Sequence, residues 1–174
     1  QALTDEYSLP PGYLSEISLA APDWTASWAS ILGKGALLLI DYGFPQHEYY
    51  HPQRDSGTLM CHYRHQAHTE PFFLPGLQDI TAHVDFTVIV EAGFAAGLDF
   101  LGYTTQAAFL LNCGLAELMA RVSSDDLRYL PQAQAAQKLL SPAEMGELFK
   151  VIALGKGLGE PLLGFAQGDR SAML

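Results

Sequence analysis

The sequence predicts an α/β fold, because three helix-forming stretches each run directly into a short apolar segment of strand length. Pro22-Asp23 opens the first, with Trp24, Trp28, Ile31 and Leu32 recurring at i, i+4, i+7 and i+8 and Gly33 and Gly35 closing it. Ala36-Leu37-Leu38-Leu39-Ile40 then runs unbroken to Asp41-Tyr42-Gly43, the pattern of a strand covered on both faces, as in a parallel sheet. In the second unit Asp85 is a candidate N-cap, Phe86, Ile89, Val90 and Phe94 keep helical spacing to Gly97, and Leu98 to Tyr103 is the strand. In the third, Ser141-Pro142-Ala143-Glu144 reads as a capping box opening a short helix to about Leu148, and Phe149 to Leu154 is the strand.

The connecting stretches follow from their own chemistry. Pro10-Pro11-Gly12 is a turn, and residues 44–78 carry turn residues, histidines and tyrosines without a sustained period, so they are expected to form a long loop over the carboxyl end of the first strand. Loops beyond about 12 to 15 residues are uncommon unless they bind something or are disordered. Thr104 or Thr105 caps a helix through Leu111, Cys113-Gly114 interrupts it, and Leu115, Leu118, Met119 and Val122 continue one face. Asp125-Asp126 marks a turn, and the Gln/Ala-rich stretch from Pro131 to Leu140 is a strong helix former. Leu162 to Phe165 is expected to form a short final strand, and the tail from Gly168 to fray. Three strands make half of a doubly wound sheet whose open edges are a liability, so a further part of the sheet is expected upstream of Gln1.

Composition narrows the partners. Nine Lys and Arg against nineteen Asp and Glu give a formal charge of −10, the wrong sign for neutralising phosphates, which argues against nucleic acid. Nearly half of the residues are hydrophobic and 16% are charged, which suits a packed domain rather than a disordered chain. Cys61 and Cys113 match neither a disulfide framework nor a paired-cysteine zinc site and fit a reducing compartment. The longest apolar run is far short of the roughly 20 residues that span a bilayer, so no membrane insertion is expected. His65 and His68 have chelating spacing only if helical, and their segment lacks helical period, so no metal is expected.

Three stretches carry a resemblance. The first is Gly35 to Gly43, continuing through Glu48-Tyr49-Tyr50-His51-Pro52 and Gly57-Thr58-Leu59 to Tyr63-Arg64-His65. The second is Pro75-Gly76-Leu77-Gln78-Asp79-Ile80-Thr81-Ala82-His83-Val84-Asp85-Phe86. The third is Gly102-Tyr103-Thr104-Thr105-Gln106 with Phe109-Leu110 and the later Met145-Gly146-Glu147-Leu148-Phe149-Lys150-Val151. Together they resemble the MidA family of S-adenosylmethionine-dependent methyltransferases, which includes an arginine methyltransferase of mitochondrial complex I assembly. The resemblance implies the C-terminal half of a class I, Rossmann-like methyltransferase sheet, with Asp41 ending its fifth strand and residues 98–103 and 149–154 forming the sixth and seventh. In that family the glycine-rich loop after strand one and the acidic residue after strand two hold the cofactor. Neither is in this sequence, so S-adenosylmethionine is expected to be held mainly by residues upstream, and this chain alone to bind it weakly or not at all.

Candidate site residues follow from position and from the implied chemistry. Ligands in open α/β sheets bind at the carboxyl ends of strands, where Asp41 and Tyr42 fall. Either they face a cleft, or Asp41 caps a turn and Tyr42 only packs. Asp79 and His83 precede a helix that does not require them, and a histidine near a carboxylate can orient a substrate or accept a proton. Asp85 has a sufficient role as an N-cap, with substrate contact as the alternative. Arginine methylation needs a carboxylate to clamp a permanently charged guanidinium, for which Asp41, Asp79 and Glu16 are the candidates here. Gln106 either bonds substrate or caps a helix. The function implied is methylation of an arginine-bearing protein substrate, linked to respiratory complex assembly, in the bacterial cytoplasm or the mitochondrial matrix. Self-association is left open. The alternative is a noncatalytic assembly module that keeps the fold.

Overall fold

The computed structural model describes residues 6–123 and 125–174. Its elements run α1 (Ala21–Ile31), β1 (Gly35–Phe44), α2 (Gln46–Tyr49), β2 (Met60–Tyr63), β3 (Gln66–His68), β4 (Asp79–Thr81), β5 (Val84–Asp85), α3 (Phe86–Ala95), β6 (Asp99–Thr105), α4 (Gln106–Asn112), α5 (Leu115–Ala120), α6 (Tyr129–Leu140) and β7 (Phe149–Lys156). The three expected strands and the helices before residues 36 and 98 are present. The main sheet has the order β5-β1-β7-β6. Its last strand in sequence is therefore threaded between the other two long strands, antiparallel to both, with Gly35–Tyr42 facing Lys156–Phe149 on one side. Among the described residues the sheet is mixed: the apolar run pairs antiparallel with β7, and the parallel pairing, β1 with β5, joins Gly43 and Phe44 just past that run.

Because side chains alternate across a strand, β7 supplies both cores. Ile152 and Leu154 face α1 and α3 with Ala29, Phe86, Ile89, Val90 and Tyr103, while Val151 and Ala153 face α4 with Phe165, Leu101 and Phe109. Asp85 caps α3 by accepting hydrogen bonds from the Thr87 and Val88 amides, and Thr105 caps α4 through Ala108. Gly97 takes a positive φ of 80° and closes α3 as the sequence indicates.

Several expectations are corrected. Residues 44–78 are not a plain loop: β1 continues to Phe44, α2 follows, and β2 lies between β3 and β4 in a small antiparallel sheet. β1 is not covered on both faces among the described residues, since Leu38 and Ile40 are 43% and 48% exposed. Likewise α1 turns Thr25 and Ala29 to the core and leaves Trp24, Trp28 and Ile31 exposed. Ser141 does not open a helix. It ends α6, and its carbonyl accepts from Glu144 and Gly146 in a run of turns that carries the chain back to β7. Leu163–Phe165 is a 3₁₀ turn rather than a strand; it presses Phe165 onto Gly102, where a Cβ would meet the ring at 2.5 Å. The tail is pinned, not frayed: Tyr103 and Thr104 of β6 bond to Gly168, Asp169 and Arg170.

The pairing of β1 with β5 depends on Gly43, because a Cβ there would lie 2.1 Å from the Val84 carbonyl oxygen. Gly43→Ala is therefore expected to force the two backbones apart and destabilise the full-length protein by about 1–3 kcal/mol. Gly33→Ala, where a Cβ meets nothing within 4 Å, serves as the control in chemical denaturation and should change stability by less than about 0.5 kcal/mol.

Candidate functional site

The carboxyl end of β1 gathers the candidate site. There β1 exchanges neighbours: Asp41 and Tyr42 face Lys150 and Phe149 of β7, and the next two residues, Gly43 and Phe44, face Val84 and Asp85 of β5. Residue 83 must consequently arrive beside Tyr42. The His83 ring stacks on Phe44 at 5.1 Å with planes 4° apart and meets the Tyr42 ring edge-on at 5.0 Å. Tyr42 in turn stands edge-on to Phe149 at 5.6 Å.

The backbone fixes His83 as firmly as the rings do. Its amide donates to Thr58 Oγ1 at 3.0 Å, and its carbonyl accepts from the Tyr49 hydroxyl at 3.3 Å. Nδ1 is buried and has no hydrogen-bond partner among the described residues. Burial lowers the pKa of this imidazole, reinforced by the positive charges of Arg54 and Lys150 and opposed by Glu16 and Asp41. At neutral pH it is an uncharged ring with one free nitrogen, suited to accept a proton or a hydrogen bond. Asp41 beside it is exposed, and its carboxylate takes a hydrogen bond from the Tyr42 amide at 2.8 Å.

The other predicted residues divide by what already occupies them. Glu16 accepts from the Thr58 amide, the Thr58 hydroxyl and the Leu59 amide, so both its oxygens pin the segment before β2. Asp85 caps α3 and also takes a bond from Gln46 Nε2 at 3.2 Å; burial nevertheless pushes its carboxyl pKa up. Gln106 is buried and donates to the Leu139 carbonyl at 3.0 Å, tying α4 to α6. Asp79 sits on β4 opposite His62, exposed, with no side-chain hydrogen bond or ion pair among the described residues. The structure thus brings Asp41, Tyr42 and His83 together and leaves Asp79 on the small sheet.

Sequence reasoning missed Phe44 and Arg54. The Arg54 guanidinium lies 4.0 Å from the centre of the Phe44 ring and also bonds the Glu48 carbonyl, so it backs the His83 stack. Strand alternation carried two residues past Tyr42 would have flagged Phe44; the arginine has no local signal.

Along the edge of β1 away from β7, Gly35–Tyr42 has no strand partner among the described residues. A groove of about 900 Å³ follows that edge, walled by Leu38, Ile40 and Asp41 of β1, by Trp24, and by Tyr49 and His83. No three His, Cys, Asp or Glu side chains among the described residues converge in a way that can hold a metal ion. No described helix is long and apolar enough to cross a membrane.

Comparison with known proteins gives three consistent findings. A family described as S-adenosyl-L-methionine-dependent methyltransferase matches residues 1–104. The mitochondrial protein arginine methyltransferase NDUFAF7 of Danio rerio is 31% identical over 122 residues, 69% of this chain and 27% of that protein. Two crystal structures from Burkholderia thailandensis superpose on it: one is 56% identical with a TM-score of 0.93 over 95% of this chain, the other, bound to S-adenosyl-homocysteine, is 55% identical with a TM-score of 0.95 over 99%. The chain spans 45% of each of those two chains.

The lowered pKa of His83 has a measurable sign. The folded protein resists protonating this ring, so below its ordinary value of 6.5 the unfolded chain binds more protons and stability falls as the pH drops. Ring-nitrogen NMR should place the His83 midpoint below 6.5, and Tyr42→Ala, by admitting water, should move it back toward that value.

Proposed function

This chain belongs to the MidA-type family of S-adenosylmethionine-dependent methyltransferases, and we propose that it forms the acceptor side of the active site in a longer methyltransferase acting on protein arginine. The observation that carries the reading is the Burkholderia structure holding S-adenosyl-homocysteine, whose fold this chain follows over 99% of its length. NDUFAF7, named as a protein arginine methyltransferase, supports the choice of acceptor. A respiratory complex subunit is the proposed physiological substrate. S-adenosylmethionine, when bound, supplies a methyl group on a sulfonium.

Among the described residues no glycine-rich cradle for that molecule is present. No glycine-rich loop follows β1 or β6 in the sequence, and the groove beside β1 is walled mainly by apolar side chains. We therefore assign its principal contacts to the remainder of the protein, packed along the open edge of β1 and the exposed side of α1. Asp41 holds the guanidinium by charge-assisted hydrogen bonds, which a neutral amide would not replace. His83, uncharged and with a free nitrogen, takes the proton that the methylated nitrogen releases. Asp79, exposed on the small sheet and unspent by the fold, is the second carboxylate we assign to the acceptor.

Two measurements test this. In the full-length protein, Asp41→Asn and Asp79→Asn should each slow single-turnover methylation about ten- to hundredfold with unchanged cofactor affinity; a folded variant that keeps its rate removes that residue from the set. Titration of the 174-residue chain alone with S-adenosylmethionine in a calorimeter should give no heat of binding, whereas micromolar binding would place the cofactor contacts inside it.

A further inference from the structure

A second cleft, of about 340 Å³, opens at the same end of the sheet, with Phe44 in its wall, where β6 ends and β7 begins. Its floor holds two polar groups buried at real cost. Tyr103 is wholly buried, and its hydroxyl has no hydrogen-bond partner among the described residues although the residue lines the cleft. Lys150 is 6% exposed, and among the described residues its ammonium is held by the Glu147 carbonyl, with Glu147 Oε1 at 4.0 Å. Glu147 is unable to serve Lys150 fully, because Arg170 binds both its oxygens at 2.5 and 3.2 Å. A buried hydroxyl without a partner costs free energy in the empty protein and contributes affinity when a ligand supplies an acceptor. The lysine keeps donors to spare.

The ligand these groups fit has a carbonyl oxygen for Tyr103 and Lys150. The rim selects among carbonyl compounds: Glu48, Glu144 and Glu147 outnumber Lys150 and Arg170, so the cleft is net negative and repels a carboxylate. Glu48 makes no side-chain hydrogen bond or ion pair among the described residues and offers an acceptor for an N–H. An acceptor and a donor on one uncharged group is the pattern of an amide. We propose that this cleft binds a peptide group of the acceptor polypeptide flanking the residue to be methylated, with Tyr103 and Lys150 bonding its carbonyl and Glu48 its N–H. The proposal rests on the reading of the protein as a polypeptide methyltransferase. The cleft gives the enzyme a means of telling a residue within a chain from a free amino acid, whose carboxylate it repels.

The test uses the full-length protein loaded with S-adenosyl-homocysteine and titrated, with NMR detection, with three probes: N-acetylarginine N-methylamide, N-acetylalanine N-methylamide and methylguanidine. Tyr103→Phe and Lys150→Met should each weaken both amide-bearing probes about three- to tenfold and leave methylguanidine unchanged. Tyr103→Phe removes a hydroxyl that has no partner among the described residues, so its stability should be unchanged or raised, which keeps the result readable if Lys150→Met misfolds. In a separate titration of the unsubstituted protein, N-acetylarginine, with its carboxylate, should bind more weakly than its methylamide. If the alanine probe responds to the substitutions while methylguanidine fails to bind, the peptide cleft stands and the arginine assignment falls. If neither amide probe responds to Tyr103→Phe, including the case in which neither binds, the inference is overturned.

Discussion

Everything in this chain hangs on β7 lying antiparallel between β1 and β6. The register joins residues 35–42 to 149–156 on one side and 99–105 to 150–155 on the other, so β1 and β6, far apart in sequence, join one sheet through the last strand. Val151 to Leu154 are at most 1% exposed and feed both cores, one from each side of the pleat. Contacts of such sequence separation are slow to form, since the loop must close before any of them is made. The arrangement also sets the chemistry: because β7 runs opposite to its neighbours, its first residues, Phe149 and Lys150, arrive at the carboxyl ends of β1 and β6. Phe149 backs Tyr42, and Lys150 enters the floor of the second cleft.

What the sequence made legible was local. The apolar run from Ala36 to Ile40, the cap at Asp85, the stop at Gly97 and the cap at Thr105 each depend on residues within a few positions of one another, and each is where it was expected. What stayed hidden depends on distant partners. Nothing in Phe149–Lys156 states that it pairs antiparallel, because the alternation of side chains is the same in either direction. The small sheet escaped because β2, β3 and β4 are three or four residues long, and of their residues only Cys61 is fully buried, too little for a period of two to emerge. The tail reads as a polar end, yet Gly168 to Arg170 bond the edge of β6 sixty-odd residues earlier.

Among the polar candidates, occupancy separates scaffold from site. Glu16 is a candidate carboxylate for clamping a guanidinium, but its partners at Thr58 and Leu59 lie 42 and 43 positions away and no local pattern announces them. Asp85 and Gln106 are likewise spent on the fold. Asp41, Asp79 and the ring of His83 keep capacity that the fold does not use. For His83 this is a physical cost as well as an opportunity, since a buried nitrogen without a partner is retained against a penalty that a ligand or proton would relieve.

Charge completes the argument about what such a site can do. A guanidinium carries its charge at every physiological pH, and methylation keeps that charge while removing N–H donors. On the reading proposed here, Asp41 therefore attracts substrate and product almost equally by Coulomb forces and distinguishes them only through lost hydrogen bonds. The peptide group proposed to sit on Tyr103 and Lys150 is the same before and after transfer. It fixes the position of the acceptor without contributing to that difference, so the change on methylation is confined to the nitrogen that faces Asp41 and His83. A repeated transfer to the same residue then requires a nitrogen that still bears hydrogen to turn toward this pair, while the peptide cleft holds the chain in place.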